Sequence, residues 1–589
     1  MKKLRFLIEG DEIDMGNNSM VFQYKNPMFE DIGSHSLPVQ IPRNSLNNNI
    51  LKTFHPASVS LTARFSAQLY IGAFQFEGEF VLSSINDKYF EGHFTTGNST
   101  FRDLVKEVKL TDIDYTEEIY GSETVSFTDA LTAAAHSSYP THNYTCFPML
   151  DPVYYEQDPF AYNAMINPWS YHPTDPDLEA FYASSSRDLT LLYAPSFYLC
   201  FVIQKVFDAF GYAIETNEIY EDAELRTLVV VNFNTLGEVD TTYRQYDLRF
   251  SDALPPISIG DFLSGIEKLF NITFFVSDVS KLVNIKKNTS VIKSSSVGEL
   301  RLTSREVLPE ENNGFKLSYT MDPDDAYSSI SEISDYELGL TVDNEEDLDD
   351  YNANDYPNKL AKISNNDLYY ISKLTDAETD TWSWEKLTKD FFEYLEGEGD
   401  LEINSSANPV LTDNDLLYCW YGTGLKEFAI FPKIEIPCIN SNGIQEFKTF
   451  ETLRLLFYRG VVPSGGAYLN PDNVEGNYPL ATPDVWRPKG LTNPARFGRI
   501  KITNANQALR WDGEYGLYNT HWKDYLYWYQ NLKRTAKDHY DISLQEFLSI
   551  NFWEKYQAGN ASLLFRSIDL EIDFARDSCR IGECEVYLG

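Results

Sequence analysis

Apolar residues at every second position mark both ends of this chain and limit what it can fold into. Leu4, Phe6 and Ile8 fall on one side of an extended segment, and Met20–Tyr24 reads as a second strand. Ala63, Phe65, Ala67 and Leu69 are in phase, and Phe74, Phe76 and Phe80 follow after Gly72. Gly78 marks a turn or bulge, and Tyr89–Phe94 closes the set. At the other end Leu564, Ile568, Leu570, Ile572 and Phe574 alternate, and Arg580–Leu588 returns after a turn at Arg576–Ser578. Successive side chains of a strand point to opposite faces, so both ends predict half-buried antiparallel sheet. Val39–Ile41 lies between Pro38 and Pro42, which predicts an edge strand, and Asn47–Asn49 reads as a loop.

The period changes in the middle. Leu199, Val202, Ile203, Val206 and Phe210 recur at helical steps, with Gly211 at the C-terminal cap and a strand from Tyr212 to Glu215. The arrangement repeats. Ser258 caps a helix carrying Phe262, Leu263, Ile266, Leu269 and Phe270, with Asp261 at the capping-box position. Asn271 ends it, and strands Ile272–Val276 and Lys281–Lys287 pair behind it. Near the C-terminus an aromatic helix spans His521–Leu532, and Asp541 caps a short helix with Leu544, Phe547 and Leu548.

The predicted class is therefore α+β and β-rich. The 589 residues exceed one hydrophobic core, which stops growing at about 250–300 residues. The pattern divides them into an N-terminal β unit (1–120), an extended, proline-punctuated insertion (121–190) and an α+β module (191–300). The start of a second β unit (301–340), an inserted acidic and aromatic region (341–490) and the rest of that unit (491–589) follow.

Charge and motifs exclude several functions. The net charge of −40 opposes wrapping of nucleic acid or docking on anionic lipid. Sequence-specific nucleic-acid binding is thus not expected. No apolar stretch reaches the roughly 18 residues of a membrane span, and the opening Met1–Gly10 is interrupted by Arg5 and Glu9, unlike an export signal. Six scattered cysteines suggest reduced thiols rather than a disulfide framework or a zinc knuckle. None of the eight histidines has the HExxH spacing, and neither a nucleophile elbow nor a phosphate-binding loop is present. No catalytic residue, metal ligand or cofactor is expected. From Leu317 to Asn358 there is no Lys or Arg, and Asp343, Glu345, Glu346, Asp347, Asp349 and Asp350 form an acidic run. The run lacks the alternating frame of a calcium loop and reads as a solvated acidic loop.

Several stretches resemble tail hub or baseplate hub proteins of bacteriophages, especially those of Bacteroidetes hosts. These are Leu37–Asn49 leading into Ala63–Tyr70 and Phe76–Phe80, then Ile257–Leu263 with the Phe274–Val276 strand, and Gly516–Tyr525 before the final hairpin. The segments 121–190 and 341–490 have no counterpart in that pattern. The resemblance implies two β-barrel-like tube domains per chain in a homotrimer within the virion tail, made in the host cytoplasm. Its partners would be tail-tube and distal tail or fibre proteins, and the acidic run would face the DNA exit channel. Rival classes are a carbohydrate-binding surface protein, which would need an export signal, and a tail-borne cell-wall hydrolase, which lacks a visible site.

Overall fold

The computed structural model describes residues 4–29, 35–51, 63–72, 74–96, 98–115, 117–119, 127–150, 165–167, 169–170, 180–181, 193–232, 246–248, 254–277, 280–309, 314–320, 337–343, 345–351, 359–363, 368–375, 380–387, 393–396, 399–409, 417–421, 424–428, 452–463, 477–489 and 498–589. The alternating segments are strands, and the class is β-rich α+β. Leu4–Ile8 buries Leu4, Phe6 and Ile8, and Arg64–Ile71 buries Ala67, Leu69 and Ile71. Phe6 meets Phe80 and Phe94 edge to face at 6.1 and 5.5 Å, and Phe22 lies 5.9 Å from Phe94. Burying each such ring contributes about 1.5–3 kcal/mol.

The two β-rich ends are not separate sheets. Ser19–Lys25 pairs antiparallel with Ala561–Asp573 over seven residues, from Ser19↔Asp573 to Lys25↔Ser567. This joint makes one 14-stranded sheet. Its path runs Asp11–Glu12, Leu4–Ile8, Arg64–Ile71, Phe74–Ile85, Tyr89–Thr96, His35–Ser36, Ser19–Lys25, Ala561–Asp573, Ser578–Leu588, Arg534–Tyr540 and Leu302–Val307. Asp577 Oδ1 accepts the Leu4 N–H at 2.8 Å, a second tie between the ends. The path has two free ends, so the described sheet is open and the expected closed barrels are not found.

Other local expectations change for physical reasons. Asn47–Asn49 is not a loop but part of a helix, Ser45–Ile50, capped by the Asn44 side chain. Asn47 is fully buried because its amide group donates to the carbonyls of Asp14 and Pro42 and accepts the Asp14 N–H. Gly78 is no turn. It sits within Phe74–Ile85, where a Cβ would lie 1.9 Å from the Thr95 carbonyl oxygen. The irregularity in that strand falls at Leu82/Ser84. Segment 121–190, expected to lack regular structure, holds a helix at Phe127–Ala135. Helix Leu544–Leu548 is capped by Ser543 in a box with Glu546, not by Asp541.

The middle module follows its pattern closely. Helices Leu199–Ala209 and Ile259–Phe270 pack beside a sheet ordered Ala213–Asn217, Leu282–Lys287, Ile272–Ser277. Ser258 caps the second helix, and Asn271 ends it in the left-handed conformation at φ 51°. Phe101, on helix Asn98–Val105, stacks on Phe207 at 5.2 Å and docks the N-terminal unit against this module. A six-stranded sheet joins Leu228–Val230 to Leu453–Pro463, so the 341–490 region also contributes a strand to the middle of the protein. Among the described residues no helix is long and apolar enough to cross a membrane.

Candidate assembly surface and buried charge clamp

Two features beyond ordinary core packing stand out. The first is the pair of ends of the large sheet. Leu302–Val307 is bonded on one side to Arg534–Tyr540, and among the described residues no strand covers its other side. Most of its side chains are exposed, and Val307 is 55% exposed. Arg305 holds this strand in place. Its guanidinium donates to both oxygens of Asp538 at 2.8 and 2.6 Å, and Asp538 also accepts from the Tyr540 hydroxyl. The Asp538 carboxylate raises the Arg305 pKa. At the far end of the sheet, Asp11–Glu12 folds back on Leu7 and Ile8 with both side chains exposed.

The second feature lies inside. Glu224 follows the short helix Glu218–Glu221 and accepts from Arg459 Nη1 and from the N–H groups of Asn506 and Gln507. Arg459 Nη2 donates to the carbonyls of Asp484 and Gln507 at 3.0 and 2.7 Å. Gln507 Nε2 donates to Asp222 at 3.1 Å, and Asp222 receives Lys287 Nζ at 2.6 Å. His521 Nε2 meets Gln507 Oε1 at 3.0 Å, which fixes that nitrogen as the donor. The clamp fastens the α+β module to the Leu453–Pro463 strand and to the loop before the aromatic helix.

Burial sets its titration. Desolvation lowers the Arg459 guanidinium, opposed by Glu224. Desolvation pushes His521 down to about 3, so the ring is neutral. Asp222 is held below its ordinary value. Burial pulls it upward, but the Lys287 ammonium and the N–H groups of Leu225 and Glu224 outweigh that. Each carboxylate of the clamp already has its donors, which is the arrangement of a structural fastening.

The acidic run is partly described. Glu345–Asp350 forms a 3-10 turn seated by buried Leu348. Asp343 and Asp350 are exposed and Asp347 is half-buried, whereas the side chains of Glu345, Glu346 and Asp349 lie outside the described residues. The four cysteines with described side chains, Cys146, Cys200, Cys579 and Cys584, are free thiols. Burial raises the pKa of each, with Cys200 pushed up to about 12. Among the described residues no group of three His, Cys, Asp or Glu side chains could hold a metal ion.

Sequence reasoning missed the clamp. Arg459 sits with Arg454 in the otherwise largely apolar run Leu453–Val462, and cations within such a run were the available signal.

Together these features define a β-rich α+β protein held by an internal charge clamp and carrying an open sheet edge. No family model matches the sequence, and a search of curated proteins finds no relative. Among solved structures, the 43 kDa tail protein of prophage MuSo2 from Shewanella oneidensis aligns over 100% of this chain and 98% of its own. The identity is 7% and the TM-score 0.30, too remote to define a shared fold.

Proposed function

We propose that this chain is a structural protein of a bacteriophage-type tail. It acts as a homotrimeric hub that joins the tail tube to distal tail or fibre proteins and lines the DNA exit channel. The observation that carries the reading is the single open sheet uniting both ends of the chain, which can add strands from outside. The hub-like stretches at both ends and in the middle support it. The chain catalyses no reaction in this reading. Part of the acidic run, including Asp343, Asp347 and Asp350, faces the channel, where rings of carboxylates repeated by symmetry keep phosphate off the wall.

Light scattering on the purified chain tests the hub: a trimer is expected, and a monomer at every concentration contradicts it. Cleavage of peptidoglycan or host glycan, abolished by changing one carboxylate, contradicts the non-catalytic reading. For the channel, Asp347→Asn, Asp349→Asn and Asp350→Asn are combined. Normal assembly with slower DNA ejection at low salt is expected, and unchanged ejection refutes this placement.

A further inference from the structure

We propose that the clamp doubles as an acid-sensitive latch. Below neutral pH, residues 504–507 and the Tyr518–Trp522 turn let go of the middle module, while the joint between the two ends of the large sheet holds.

His521 is the moving part. It lies in the Tyr518–Trp522 turn, where the Lys523 N–H reaches back five residues to the Tyr518 carbonyl in the π-helical manner. Such wide turns are rare and are found mostly at functional sites. Here neighbours hold the turn. Asn271 Nδ2 donates to the His521 carbonyl at 3.0 Å, and the ring stands edge-on to Phe270 at 5.3 Å. Nε2 donates to Gln507 Oε1, and Gln507 donates in turn to Asp222. The ring therefore ties its own turn to residues 504–507 and, through them, to the middle module.

This chain of bonds uses a neutral ring. A second proton would place an imidazolium in a buried site beside the Lys287 ammonium. The nearby carboxylates are already engaged: Asp222 by Lys287 and Gln507, and Glu224 by Arg459 and two backbone N–H groups. Acid therefore favours the form in which the ring reaches water. Latched, the ring has a pKa of about 3, and freed it titrates at about 6.5. The freed ring takes up a proton that the latched ring cannot hold, so the open fraction grows by about 25-fold between about pH 7 and about pH 5. Asp222 is held below the usual carboxylate range and stays charged over this interval.

The sheet joint responds in the opposite sense. Asp569, on Ala561–Asp573, accepts from Gln23 Nε2 across the joint at 3.2 Å. Glu571, Glu583 and Glu585 act on it, and these pair with Arg580, Lys537 and Arg566 respectively. Burial and the three neighbouring carboxylates raise the Asp569 pKa, and the Gln23 amide offsets part of this. A carboxylate whose folded pKa is raised gains stability on protonation, so acid strengthens the joint and the release stays local.

Hydrogen exchange read by mass spectrometry on the full chain at about pH 7 and about pH 5 tests this, each rate being divided by the intrinsic rate at that pH. Protection of residues 504–507 and of the Tyr518–Trp522 turn is expected to fall by about 25-fold, and that of Ser19–Lys25 and Ala561–Asp573 to stay level or rise. In His521→Asn, which cannot take up the proton, the fall disappears. Clamp segments that keep their protection in acid, or lose it together with the sheet joint, overturn the latch. A fall that persists in His521→Asn belongs to another group and overturns it too. His521→Gln is read in the same way if the asparagine variant does not fold, and the wild-type profile decides by itself if neither does.

Discussion

Removing the Glu224 carboxylate is the sharpest perturbation of the internal clamp. The Arg459 side chain is 5% exposed and that of Glu224 12%, so the pair lies out of solvent. Glu224→Ala strands the Arg459 guanidinium and leaves the N–H groups of Asn506 and Gln507 without their acceptor. Breaking one partner of a buried ion pair costs about 3–5 kcal/mol. Losing the acceptor of the half-buried Gln507 N–H can add about 1 kcal/mol, though these costs overlap and do not sum. The expected loss is therefore about 4 kcal/mol, close to the upper end of single-residue effects. Glu224→Gln keeps the shape and one acceptor oxygen and should cost roughly half as much. Urea unfolding followed by tryptophan fluorescence reads this, since Trp511 and Trp522 are buried near the clamp. Arg459→Met and the double variant complete a cycle whose coupling should reach about 2 kcal/mol. A loss below about 1 kcal/mol for Glu224→Ala, with no coupling, refutes the clamp as a stabilising device.

Three further outcomes follow from the same structure. His521 is neutral in the fold with its pKa near 3, whereas the unfolded chain protonates it below about 6.5. Stability from this group is thus complete above about pH 6.5 and declines as pH falls, by about 2 kcal/mol between about pH 6.5 and 5. The gap between wild type and His521→Asn, measured by urea titration at each pH, should shrink in that direction by the same amount. Gly78→Ala forces a Cβ against the Thr95 carbonyl and should destabilise by about 3 kcal/mol, read as a lower melting temperature. Ser543→Ala removes the cap that accepts the Glu546 N–H and should cost about 1 kcal/mol in the same assay.

Where a structural choice depends on neighbours in sequence, the residues declared it. The helix Ile259–Phe270 has its serine cap, its apolar periodicity and a left-handed asparagine end close together in the chain, and it forms as expected. Alternation in Leu4–Ile8 gave the buried face for the same reason. Alternation says which face is apolar, however, and nothing about which strand lies alongside. The joint between Ser19–Lys25 and Ala561–Asp573 therefore left no local trace. Asn47 misled because its polarity is satisfied by backbone groups, one of them 33 positions away. The clamp was invisible for a similar reason. Asp222 and Glu224 are far along the chain from Lys287, Arg459 and Gln507, and their charges resemble surface charges until folding brings them together.

Electron microscopy of intact tails carrying this chain tests the central claim most directly. Three copies are expected around the tail axis. A single copy within the assembled tail, or tails that contain none, contradicts it.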